Sequence, residues 1–184
     1  MRGKSHRFLG RYLAETYMSG TRRPRVDAFL FGCIEPDWNP VTYLKGSIRS
    51  QWLRGHNYGN ARRYMQRISR RLENRAHLNL WDYYTLGKLI HYTTDAFTYA
   101  HNPEFTSSLG DHREYEAALQ NHFLPYLESS PQVKTQDACS IMDAIRSCHR
   151  EYIRQDIDIR NDSKYALQAC CCVLGLLLTP CLIP

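Results

Sequence analysis

Apolar residues along the chain recur at intervals of three and four, and no alternating run is long enough to build a sheet. Phe8, Leu9, Tyr12, Leu13 and Tyr17 mark one face of a first helix, which Ser5 is placed to cap and which ends near Ser19-Gly20. A short helix is predicted over Val26 to Phe31, stopped by Gly32. From Cys33 to about Gly59 the chain carries Pro36, Pro40, Gly46, Gly55 and Gly59, and reads as a long structured loop of the kind that carries function. Ala61 to Ala76 is an amphipathic helix with Tyr64, Met65, Ile68 and Leu72 inward and arginines outward. The longest helix runs from about Leu80 to His101, ended by Asn102-Pro103 because the residue before a proline avoids helical geometry. Gly110-Asp111 opens another that reaches Leu124, with Asp111 as its cap, and two more cover Ala138 to about Ile157 and Lys164 to Leu178. With no internal repeat or linker, the prediction is an all-α fold, one domain over residues 1–184 built as a bundle of about six to eight helices.

The length of 184 residues suits that single domain, and 43% hydrophobic with 23% charged residues excludes a disordered or low-complexity chain. The net charge of +6 comes mostly from arginine. It points to an anionic ligand or surface, beside the plainer reading of a solvated basic face. No apolar run of signal-peptide length follows the basic start Met1 to Arg7, the seven cysteines form no Cys-x-x-Cys pair, and Cys170, Cys171 and Cys172 are adjacent. A reduced, cytoplasmic protein is expected. From Ala166 to Pro184 the chain is nearly all apolar, but Pro180 leaves roughly 14 helical positions, short of a membrane span. The segment reads as a last helix buried in the core; the alternative is contact with a membrane surface, helped by acylation of the cysteines.

The candidate chemistry lies in the histidines. His91 and Asp95 are four apart on the longest helix and share a face, with His101 six residues further on, spanning an arc of about 120° over about 15 Å of rise. That spread suggests that His91 and Asp95 serve one metal ion while His101 serves another. His112 and Glu116 repeat the four-residue spacing on the next helix. Imidazole and carboxylate are the ligands zinc accepts at open, catalytic sites, and two or three such ions clamp a phosphate and lower the pKa of a bound water. His77, His122 and His149 have no carboxylate partner in register on an apolar face and read as surface or packing residues.

His91-Tyr92-Thr93-Thr94-Asp95-Ala96-Phe97 followed by Tyr99-Ala100-His101-Asn102-Pro103 resembles the core signature of the zinc-dependent phospholipase C family, which shares its fold and trinuclear site with the single-strand-specific zinc nucleases. His112-Arg113-Glu114-Tyr115-Glu116 resembles the phospholipase form of the following helix, where the nucleases carry Asp. Upstream, Gly32-Cys33-Ile34-Glu35-Pro36-Asp37-Trp38, Gly55-His56-Asn57 and His6 match the family's Asp, His and early His, so the resemblance covers about residues 5–120. It implies that Asp37, His56, His91 and Asp95 hold one Zn²⁺, that His101, His112 and Glu116 hold a second, and that His6 with the bridging Asp95 holds a third. In secreted relatives the chain's own amine and carbonyl complete that third site. Here the amine of Met1 or a water would do so.

The implied activity is hydrolysis of a phosphoric diester by a metal-bound hydroxide, on a phospholipid headgroup or related substrate, with Asp37 as ligand and general base. Trp38 sits where the phospholipases place an aromatic residue beside the choline cation, although Leu53 stands where a second aromatic is expected, which leaves choline selectivity unsupported. Two alternatives stay open. One is a nuclease or nucleotide phosphodiesterase on the same metals, with the arginines from Arg62 to Arg75 tracking a nucleic-acid backbone. The other is a binding module stapled by zinc, against which the carboxylate-rich ligands argue.

Overall fold

The computed structural model describes residues 1–39, 58–102, 109–134 and 137–178. Among these the chain is all-α: α1 (Gly3–Tyr17), α2 (Arg23–Trp38), α3 (Tyr58–Glu73), α4 (Leu80–Ala96), a 3-10 turn (Tyr99–His101), α5 (Leu109–Glu128), α6 (Ile141–Tyr152) and α7 (Ile159–Leu178). The helix α4 is buried along almost its whole length, from Asp82 to Ala96, so it forms the axis around which α1, α2, α3 and α7 pack. It starts at a reciprocal cap in which the Asn79 side chain accepts from the Asp82 N–H and the Asp82 carboxylate accepts from the Asn79 N–H, both at 3.0 Å. Phe29, Phe97, Leu9, Leu13, Leu86 and Leu89 fill the interior around it.

The predicted break at Gly32 is wrong. The helix runs through it to Trp38, so the expected loop starts later, and its residues 40–57 lie outside the described residues. Gly32 and Gly87 form the crossing point of α2 and α4. A Cβ on Gly32 would stand 2.1 Å from the Tyr84 carbonyl oxygen, and one on Gly87 2.1 Å from that of Phe29. These glycines therefore serve backbone contact between helices. Replacing Gly87 by alanine is expected to force the pair apart and cost at least the upper end of the usual overpacking penalty, about 3 kcal/mol. A thermal midpoint unchanged from wild type would contradict the crossing.

Other boundaries shift for local reasons. Ser5 does not cap α1; Arg2 is the N-cap residue, and Ser5 is buried one turn inside. The helix α5 continues through Pro125 to Glu128, held by the buried Leu127. It starts at Leu109, which puts Asp111 within its first turn. Ser140, whose Oγ accepts from the Asp143 N–H, sets the start of α6, and that helix ends at Tyr152, short of Ile157. The last helix begins at Ile159, five residues before Lys164. Its cysteines Cys170, Cys171 and Cys172 are buried in the core outside any disulfide, and no helix among the described residues is long and apolar enough to cross a membrane.

The long helix also stops earlier than predicted. It ends at Ala96, and His101 lies on a separate 3-10 turn. The Tyr99 N–H donates to Asp162 at 2.9 Å instead of to a helical carbonyl, which turns the chain. The angular placement of His101 along a continuous helix therefore fails, and its position is set by tertiary structure.

Candidate metal centre

The α2–α4 crossing fixes the first ligand. The His91 ring lies 2.9 Å from the Cys33 carbonyl oxygen through Nδ1, so Nδ1 carries the proton that it donates, and Nε2 turns toward the carboxylates. That Nε2 stands 3.3 Å from Asp95 Oδ2 and 3.6 Å from Asp37 Oδ1. From α1, the His6 ring stacks on His91 with centroids 3.9 Å apart and sets its Nε2 3.2 Å from Asp95 Oδ1. A buried ion pair, Lys88 Nζ to Glu35 Oε2 at 2.6 Å, ties α2 to α4 two residues before Asp37.

A second group forms on α5 and the 3-10 turn. Glu116 Oε1 is 3.1 Å from His101 Nε2 and 3.4 Å from His112 Nε2. The amine of Met1 joins the two groups, at 2.8 Å from Asp95 Oδ1, 2.8 Å from His101 Nε2 and 3.0 Å from Glu116 Oε1.

The donor set fits zinc. His6, His91 and Asp95 form one group of candidate ligand atoms within 4.8 Å of one another, and His101, His112 and Glu116 form another. Two ligands each about 2.1 Å from a tetrahedral ion stand about 3.4 Å apart, which is close to the 3.1–3.4 Å separations within these groups. Buried atoms support the same reading: His6 Nε2, Asp37 Oδ2 and Asp95 Oδ2 make no hydrogen bond among the described residues. A buried polar atom left so costs about 1–3 kcal/mol, which coordination would recover. The charge that does sit here, the Met1 ammonium, lies between the groups as a cation would.

The electrostatics follow from this crowding. Burial opposes charge on Met1, but Asp95 and Glu116 outweigh it and push the amine up to about 10. Burial, reinforced by His91, lowers His6 to about 3, so that imidazole is neutral and its nitrogen lone pair is available. Burial raises Asp37 to about 6, with His91 opposing and Asp95 adding to the rise. Burial opposes ionisation of Asp95 and Glu116 too, yet both are held below the usual carboxylate range, Asp95 by the Met1 amine and His101, Glu116 by His101 and His112.

Of the residues predicted from sequence, the fold brings together His6, Asp37, His91, Asp95, His101, His112 and Glu116. His6 joins His91 and Asp95 in one group, whereas the sequence reading gave it to a separate third ion. His56 and Leu53 lie outside the described residues. Trp38 is 66% exposed beside Asp37. His149 stacks on Tyr58 at 4.1 Å and His122 pairs with Ser163 at 2.9 Å, both in packing roles, and His77 is exposed. Sequence reasoning missed the Cys33 carbonyl and the Lys88–Glu35 pair. For the latter, a lysine on the apolar face of α4 was the available signal.

A family model described as zinc-dependent phospholipase C matches residues 5–167 of the 184-residue chain. No curated protein and no solved structure matches it.

Proposed function

Because the chain belongs to the zinc-dependent phospholipase C family, a family of zinc-dependent hydrolases, we propose that it hydrolyses a phosphoric diester, with a phospholipid or related diester as substrate. The observation that carries this is the meeting of two imidazole–carboxylate groups at the Met1 amine, which lies within 3.0 Å of a carboxylate oxygen in each. In this reading His6, His91, Asp95 and Asp37 hold zinc on one side, and His101, His112 and Glu116 on the other, for two or three ions in all. Bound zinc supplies a water of lowered pKa and positive charge against the phosphoryl oxygens.

The protein supplies the rest. The Cys33 carbonyl holds His91 in the tautomer whose Nε2 lone pair faces the cluster. Asp37, pushed up toward neutral pH, takes and returns the proton of the attacking water at its carboxylate. Trp38, exposed next to it, offers a face to a headgroup cation or a base. One observation favours a nuclease as second reading: Arg62, Arg63, Arg67, Arg70 and Arg75 are all exposed along and just beyond α3, a row suited to a phosphate backbone.

Parallel assays on a chromogenic phosphodiester, phosphatidylcholine vesicles and single-stranded DNA test the proposal. Turnover of the first two, abolished by chelator and restored by zinc, is expected. Turnover of DNA alone would favour the second reading, and no turnover of any by the zinc-loaded protein would overturn both.

A further inference from the structure

Asp162 lies in the first turn of α7, is 1% exposed and belongs to neither ligand group. Its carboxylate gathers three donors from three elements. Oδ2 accepts from the Tyr99 N–H at 2.9 Å and from the Tyr115 hydroxyl at 2.7 Å, and Oδ1 accepts from the Tyr152 hydroxyl at 2.7 Å. A buried carboxylate is costly unless fully hydrogen-bonded, so such a hub persists only where its neighbours satisfy it.

Two of the three bonds reach ligand-bearing segments. Tyr99 opens the 3-10 turn that ends at His101, and Tyr115 stands between His112 and Glu116 on α5. The Tyr99 and Tyr115 rings also meet edge to face, with centroids 5.8 Å apart. The third bond, from Tyr152, reaches α6, which carries none of the candidate ligands. We infer that Asp162 is a positioning residue of the second metal group: through Oδ2 it fixes His101 against the face of α5 that presents His112 and Glu116. This rests on the reading that those three residues hold zinc.

The two phenols separate positioning from plain stability, because each donates one hydrogen bond to the same carboxylate. Zinc affinity is measured by competition with a chromogenic chelator on the full chain, together with zinc per chain, the visible spectrum of the cobalt-substituted protein and the thermal midpoint. Asp162→Ala and Tyr115→Phe are expected to weaken zinc binding about 10–100-fold, the range for groups that hold a metal ligand in place, and to alter the cobalt bands. Tyr152→Phe is expected to lower the thermal midpoint with zinc affinity and cobalt spectrum unchanged. Asp162→Asn, whose amide oxygen still accepts from Tyr99 and Tyr115, is expected to keep most of the affinity, and it serves if the alanine variant does not fold. Zinc binding as in wild type in both Asp162→Ala and Tyr115→Phe, or an equal loss in Tyr152→Phe, overturns the inference while the parent reading stands. A wild-type chain that takes up no zinc overturns both.

Discussion

Replacing Asp95 by asparagine is expected to remove most zinc from the protein and to lower phosphodiester hydrolysis by more than about a hundredfold, beyond what loss of a supporting hydrogen bond costs a metal site. Its two oxygens face different partners: Oδ1 meets His6 Nε2 at 3.2 Å and the Met1 amine at 2.8 Å, and Oδ2 meets His91 Nε2 at 3.3 Å. One carboxylate therefore joins His6 to His91 and, through the Met1 amine and with His101 Nε2 at 4.0 Å from Oδ1, faces the second group as well. Asparagine keeps the volume of the side chain, so the fold survives and the loss is chemical. Asparagine too removes the counter-charge of the buried amine but keeps an oxygen that can accept from it, whereas alanine removes both, and breaking a buried pair outright costs about 3–5 kcal/mol. Zinc per chain by atomic emission, with far-ultraviolet circular dichroism as control, reads the outcome. Near-wild-type zinc content and rate in Asp95→Asn would contradict the account.

The second large effect concerns pH. Without bound metal, Asp95 and Glu116 outweigh burial and push the Met1 amine up to about 10 from its ordinary value of 8.0. Its pKa is raised on folding, so the stability it contributes is fully present below pH 8 and is lost as pH rises through 10. That difference is worth on the order of 2–3 kcal/mol. Zinc binding runs the other way, because a ligating amine must first lose its proton, so zinc affinity is expected to rise with pH over the same range. Adding one glycine ahead of Met1 converts the amine to an amide. It is expected to flatten the fall in thermal midpoint between pH 8 and 10 and to weaken zinc binding. An extended chain with the same pH slope and the same affinity as the chain that starts at Met1 would show that the amine does not work in the site.

The sequence was most legible where chemistry follows local geometry. His91 with Asp95, and His112 with Glu116, lie four apart on helices, and that spacing alone puts each pair on one face. His6 and Asp37 came from the resemblance rather than from spacing, and helix packing then brings them to the same cluster. The errors arose where distant parts of the chain decide. Gly32 reads locally as a helix stop, yet its lack of a side chain is used across the molecule against Tyr84 and Gly87. His101 reads as a continuation of α4, yet Asp162, sixty-one residues later, takes the Tyr99 N–H and turns the chain before it. Asp162 itself stands in an unremarkable polar stretch, and all three of its donors lie at least ten residues away. The Met1 amine was a candidate from the resemblance, but its bridging place between the two groups depends on where α1 packs.

A crystal structure of the zinc-loaded protein, with anomalous scattering measured on both sides of the zinc edge, reaches the central claim most directly. The account predicts zinc peaks within about 2.0–2.2 Å of His6, His91 and Asp95, and of His101, His112 and Glu116. Zinc held only at the buried cysteines of α7, or none within coordination distance of Asp95, would contradict it.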